Sequence, residues 1–213
     1  MNKLVQVYYI IMAICFFISL FYLQHKKIKI LSLLLFLSII TELGVEVLNA
    51  QGHNYFILYH FFTIAEYSLI TLLLRDGIPI RFIRKIMLYS IFIFGILSLL
   101  ISLFLQRFDQ FPAISNSIEG LLIITWSILA LWYIDASENI TIFQQPGFWF
   151  ALSFLIYYAG TIAFNGIYNY LLHDKTETAR RLFAIINSFG NYLLYLLLII
   201  GILRYQWKKS IPQ

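Results

Sequence analysis

The chain has 213 residues, 61% hydrophobic and only 12% charged, with a mean hydropathy of +0.83 and a formal net charge of +5. A water-soluble domain carries about 25% charged residues, so this composition excludes a globule solvated on all sides and makes the lipid bilayer the expected solvent. The cations fall in short clusters between apolar runs, where headgroups and insertion orientation account for them, so no nucleic acid is expected as a partner.

Within hydrocarbon only helices or closed barrels satisfy their own backbone, and a core near 30 Å takes about 20 helical residues. The long continuous apolar runs select helices, predicted at about 4–23, 30–49, 55–74, 86–105, 115–134, 148–172 and 181–203. The fold expected is all-α: one polytopic, seven-transmembrane-helix bundle over residues 1–213, multi-pass in the plasma (inner) membrane.

The first run is about twenty residues long, lacks a small-x-small cleavage site and ends on His25, Lys26 and Lys27. It reads as a transmembrane helix rather than a signal peptide. Cys15, the only cysteine, lies inside it; an intrachain disulfide is excluded, and a small buried hydrophobe is the plain reading. Span two carries Glu42, Glu46 and Asn49 on one helical stripe, and span three, across a short turn, carries His60, Thr63 and Glu66. Asp76-Gly77 and Pro79 break the chain after span three. Span four offers only Ser90, Ser98 and Ser102 and is expected to face lipid or a neighbouring subunit. Span five holds Glu119 near its start. Pro146-Gly147 opens span six, with Thr161, Asn165, Asn169 and His173 on one stripe, and span seven carries Asn187, Asn191 and Tyr195 on another. The sequon Asn139-Ile140-Thr141 reads as chance.

Lys and Arg set the orientation. With the N-terminus outside, the inner segments hold Lys26, Lys27, Lys29, Arg75, Arg81, Arg84, Lys85, Arg204, Lys208 and Lys209, against Lys3, Arg107, Lys175, Arg180 and Arg181 on the outer side. That bias favours N-out, C-in. An internal repeat is also legible: the ends of spans one and five match in pattern, Glu42/Glu46 answers Asn165/Asn169, and Glu66-Tyr67 answers Asn191-Tyr192. Spans one to three and five to seven would be parallel repeats, with span four as linker, an arrangement known among transporters.

Ionisable groups inside a bilayer cost several kcal/mol each and normally face a protein interior or a water-filled cavity. In the N-out orientation Glu42, Glu46, His60, Glu66, Glu119, Asn165, Asn169, Asn187 and Asn191 all fall in the outer half of the membrane or near its middle. They are expected to line a cavity built on spans two, three, five, six and seven and open to the outside. Asn side chains also join helices, contributing about 1 kcal/mol per interhelical hydrogen bond, and Glu46, His60 and Glu119 lie near enough to the surface to be solvated ends. Glu42 and Glu66 have no Lys or Arg at their depth, so they carry a proton, bind a cation or line water.

The chemistry expected is binding of a small polar or amphipathic ligand or a cation, for transport or sensing, with no cofactor. The alternative is a metal-dependent intramembrane hydrolase in which Glu42, Glu46 and His60 hold one divalent metal such as zinc. There is no HExxH or Gly-x-Ser-x-Gly segment, and span seven has no lysine for a retinal Schiff base. A structural subunit of a membrane complex is the remaining class, and a homo-oligomer or membrane partner fits any of the three.

With Glu42 and Glu46, Asn54-Tyr55 followed by Glu66, and Pro146-Gly147-Phe148-Trp149, the layout resembles an uncharacterised family of bacterial seven-transmembrane-helix integral membrane proteins. That resemblance implies the seven-helix fold and no activity. In outline the three-plus-one-plus-three arrangement is also similar to small sugar and vitamin carriers, whose Pro-Gln in an early helix of each repeat this chain lacks.

Overall fold

The computed structural model describes the backbone of residues 3–134, 141–174 and 176–207, with the side chains of 3–6, 163–184, 186 and 206–207 outside the description. The described residues form seven α-helices and no strand: α1 (Lys3–Leu20), α2 (Lys26–Ala50), α3 (Phe56–Arg75), α4 (Arg81–Phe104), α5 (Ala113–Trp132), α6 (Pro146–Asp174) and α7 (Thr176–Trp207). A single 3₁₀ turn, Ile142–Gln144, precedes α6. Five stretches are long and apolar enough to cross a membrane, namely α2, α3, α4, α5 and the part of α7 over Asn187–Tyr205; Val7–Leu20 and Pro146–Ile162 are shorter apolar segments. Chain breaks fall where backbone chemistry dictates. Gly52 takes φ +72°, and the bonds His53 N–H to Leu48 C=O and Gly52 N–H to Asn49 C=O close α2 in a Schellman cap that a side chain bearing Cβ would strain. Asn54 then accepts the N–H of Phe56 at 2.8 Å, starting α3.

Six of the helices make a closed ring. α1 packs on α2, α2 on α3, α3 on α5, α5 on α6, α6 on α7, and α7 returns to α1; α4 stands outside this ring against α3 and, more lightly, α5. The antiparallel alternation has two ends. At one, Lys26 approaches Asp76 at 3.5 Å and His25 stacks near Tyr205, so the α1–α2 turn, the α3–α4 turn and the end of α7 lie together. We call this the basic end. At the other, Phe111 of the α4–α5 loop packs on Phe56 and Tyr59 of α3. The Lys26–Asp76 pair is exposed, with 76% of the lysine side chain in contact with solvent, and such pairs contribute little.

The core is continuous near the basic end, where Ile28, Leu31, Phe150 and Ile202 are buried. Polar side chains stitch it together. Ser32 donates to Ser19 at 2.8 Å between α2 and α1. Trp126 Nε1–H of α5 donates to Tyr67 Oη of α3 at 3.1 Å, Tyr67 Oη lies 2.7 Å from Ser90 Oγ of α4, and Ser90 donates on to the carbonyl of Met87. Each hydroxyl in this chain accepts once and donates once. Tyr67→Phe leaves the buried Trp126 N–H unanswered, and an orphaned buried donor costs about 1–3 kcal/mol. We expect a lowered melting temperature for Tyr67→Phe in detergent, with Ser90→Ala milder because Tyr67 still accepts from Trp126; equal melting of wild type and Tyr67→Phe would refute the relay.

α4 presents Phe82, Tyr89, Phe92, Ile93, Ile96, Leu103 and Phe104 outward. Its serines point the other way, into α3. This was not legible from the sequence, where three serines in an apolar run gave no indication of partners.

Candidate functional site

Inside the ring, on the side away from the basic end, lies a cavity of about 100 Å³, room for about three water molecules at their liquid volume. Glu42 with Ser38 and Thr41 reach it from α2, Glu66 with Tyr59, Phe62 and Thr63 from α3, Asn116 from α5, Phe154, Tyr157 and Tyr158 from α6, and Asn187, Asn191 and Tyr195 from α7, with Phe111 of the α4–α5 loop beside them. Leu34, Leu35, Phe154 and Leu198 form an apolar floor toward the basic end. Among the described residues no Lys or Arg lines the cavity.

The walls are braced by hydrogen bonds across helix pairs. Thr63 Oγ1 of α3 donates to Asn116 Oδ1 of α5 at 2.8 Å, sharing its proton with the Tyr59 carbonyl. Tyr157 Oη of α6 donates to Asn187 Oδ1 of α7 at 3.3 Å, and Asn191 Nδ2 donates to the same oxygen at 3.0 Å and to the Asn187 carbonyl at 2.8 Å. Asn187 therefore joins α6 to α7, Asn191 braces it from one helical turn away, and both face the cavity. Tyr195 Oη donates to Met12 Sδ of α1 at 3.1 Å, a weak bond that closes the ring between its first and last members.

Glu42 is held from α1: Tyr9 Oη donates to Glu42 Oε2 at 3.2 Å and reaches Glu46 Oε1 at 3.4 Å. Glu46 itself is exposed. Glu66 lies near Glu119 of α5, and the hydroxyl of Tyr158 stands by both carboxyls. Glu119 is 2% exposed and Tyr158 4%. Neither Glu119 Oε1 nor Tyr158 Oη has a hydrogen-bond partner of acceptable distance and angle among the described residues. Both atoms are buried, polar and unanswered, and such groups call for an explanation.

Of the nine positions singled out in the sequence, Glu42, Glu66, Asn187 and Asn191 line the cavity. Glu119 sits behind it against Glu66, and Glu46 lies on the exposed rim. Asn165 and Asn169 fall in α6, but their side chains lie outside the described residues, as does that of His173. His60 is not part of the cavity lining. It is 2% exposed and turned toward α4, with Nδ1 2.6 Å from Ser102 Oγ and Nε2 3.0 Å from the Gln110 carbonyl. A carbonyl only accepts, so Nε2 carries the hydrogen and Nδ1 is left to accept from Ser102.

The metal alternative takes Glu42, Glu46 and His60 as ligands of one ion. Glu42 and Glu46 turn toward α1 and His60 toward α4, so Glu42, Glu46 and His60 do not converge. Among the described residues no three His, Cys, Asp or Glu side chains are placed to hold a metal ion. The six-residue step from His60 to Glu66 rotates them onto different faces of α3, and that rotation separates histidine from carboxyls.

The two tyrosine doublets are what sequence reading passed over. Tyr8-Tyr9 and Tyr157-Tyr158 stand in otherwise apolar runs; Tyr9 donates to Glu42, Tyr157 donates to Asn187, and Tyr158 stands beside Glu66 and Glu119. The doublet was a usable signal, because successive residues on a helix point about 100° apart and two adjacent hydroxyls sweep a wider arc of the helix surface than one.

Compared with known proteins, no protein family, no curated protein and no solved structure matches this chain.

Proposed function

We propose that this chain is a seven-span integral protein of the plasma (inner) membrane whose cavity binds a small polar molecule or cation, for transport or sensing. The observation that carries the reading is the coincidence of Glu42 and Glu66 with tyrosine and asparagine side chains around one cavity among apolar helices, with no cation among the described lining residues. Carboxyls in a bilayer interior are retained where they do something, because the fold alone is cheaper without them. The charge bias of the loops puts the basic end in the cytoplasm, which faces the cavity outward. The ring of six helices with α4 beside it suits the three-plus-one-plus-three reading, α4 returning the chain to the starting side between two three-helix units.

The apolar floor favours a molecule that enters and leaves from the outer side in this conformation. Sensing needs nothing further of the structure, and transport needs the floor of Leu34, Leu35, Phe154 and Leu198 to part. The test is a thermal-shift screen of small solutes on the detergent-purified chain, repeated on Glu66→Gln and Glu42→Gln. Solutes that raise the melting temperature of the wild type are expected to lose most of that effect in Glu66→Gln, while Glu46→Gln keeps it. Stabilisation unchanged in the double variant Glu42→Gln, Glu66→Gln would sink the reading and leave a structural subunit as the better account.

A further inference from the structure

Resting on that reading, we infer that the cavity takes a small organic ammonium ion, bound against Glu66 in exchange for a proton. Three features of the site point to that chemistry. The first is sign: carboxyls face the space and no described Lys or Arg does, and a buried carboxylate needs either a proton or a cation as its partner. The second is the wall. Tyr59, Phe62, Phe111, Tyr157 and Tyr158 surround the carboxyls, and aromatic faces with an acidic group among them attract alkylammonium, whose charge is spread over C–H groups, more than a bare metal ion that needs a full oxygen shell. The third is the pair of unanswered atoms. Tyr158 Oη lines the cavity, is buried and has no hydrogen-bond partner among the described residues, and Glu119 Oε1 behind it is in the same condition. An ammonium N–H offers donors to Glu66 and to the Tyr158 oxygen at once.

The exchange balances without a further reagent. The ammonium arrives with its charge, Glu66 releases the proton it held to the outer solution, and the site's net charge is unchanged. The titratable groups that act on Glu66 are Glu42 from α2, Glu119 from α5, Tyr157 and Tyr158 from α6 and Tyr195 from α7. All are neutral or negative, so among the described residues none competes as the cation. Size sets the upper limit: a space of about 100 Å³ suits an ion with a few non-hydrogen atoms, since each water-sized group takes about 30 Å³.

The experiment uses the intact chain in detergent with three probes of similar size: ethylammonium chloride, neutral acetamide and sodium acetate. Melting temperature is read for each, and proton release is read by a pH indicator in weakly buffered solution when ethylammonium is added. Ethylammonium is expected to raise the melting temperature by a few degrees at millimolar concentration, as mass action requires for a native-state ligand, and to release about one proton per chain. Its apparent affinity then strengthens about tenfold per pH unit while Glu66 is the group giving up the proton. Glu66→Gln abolishes both signals and Tyr158→Phe weakens binding without abolishing the release. If acetamide stabilises and ethylammonium does not, the ammonium assignment falls while the cavity reading stands. Ethylammonium binding without proton release overturns the exchange, and the absence of any effect from all three probes overturns the inference. Because the probe comparison is made on the unmodified chain, it decides the matter even if Glu66→Gln is not recovered folded.

Discussion

Replacing Gly201 with valine is expected to prevent this chain from being recovered folded in detergent, and Gly201→Ala is expected to cost about 1–3 kcal/mol, the usual range for overpacking. A Cβ at Gly201 would stand 2.6 Å from Phe150 Cε1, 2.8 Å from Phe150 Cδ1 and 3.1 Å from Trp149 Cβ. The Phe150 ring is 2% exposed and has no room to turn aside, so α6 and α7 must separate at the basic end. Helices in a membrane gain nothing from the hydrophobic effect against one another and depend on close packing, which small residues permit. Gly160 supplies the control: a Cβ there meets nothing within 4 Å among the described residues, so Gly160→Ala is expected to be neutral or to stabilise by up to about 1 kcal/mol through helix propensity. Scanning fluorimetry of the four proteins checks the order: Gly160→Ala, wild type, Gly201→Ala, Gly201→Val. Equal melting of wild type and Gly201→Val would mean that α6 and α7 do not approach as described.

His60→Ala has the next largest expected effect, a loss of about 2–4 kcal/mol. Truncation removes a buried ring, for which the cost of the space left behind is of that order, and strips the Gln110 carbonyl of its donor. Ser102 is not orphaned, because its hydroxyl has the Ser98 carbonyl at 2.8 Å as an alternative acceptor. The damage should therefore concentrate where the α4–α5 loop meets α3. His60→Gln, which can still offer an N–H to that carbonyl, is expected to recover part of the loss. The measurement is melting temperature together with hydrogen exchange of residues 105–112, where His60→Ala should exchange faster and His60→Gln should fall between. Faster exchange throughout the bundle with no preference for that loop would refute a local clasp.

What the sequence made legible were features governed by composition and periodicity. Seven apolar runs with polar breaks marked all seven helices, and the observed boundaries shift by a few residues because chain caps such as Gly52 extend or end a helix independently of hydropathy. Glu42 and Glu66 stood out because an ionisable group in an apolar run is conspicuous anywhere. Their partners did not, for a physical reason. Tyr8, Tyr9, Tyr157 and Tyr158 belong to the belts and cores of membrane proteins as well as to sites, and only the packing of α1 and α6 shows which hydroxyls reach a carboxyl. His60 erred the other way: a histidine in a span invites a metal or catalytic reading, yet it joins α3 to α4 and its loop, because its azimuth on α3 differs from that of Glu66. Ser102 looked inert in an apolar run until the histidine opposite it was known.

The return of α7 to α1 has a consequence for how the chain is made. The bond from Tyr195 to Met12 joins residues 183 positions apart, and α7 provides Asn187, Asn191 and Tyr195 to the cavity wall. At about 5–20 residues per second, about 10 to 40 seconds separate the synthesis of these two residues. Glu66 follows Met12 by 54 positions and precedes Tyr195 by 129, so for most of that interval both carboxyls have been made while the wall that shields them is incomplete. The growing chain must keep two carboxyls away from lipid with no finished protein around them, so insertion has to lean on the translocation channel, on trapped water or on a helper until the seventh helix arrives.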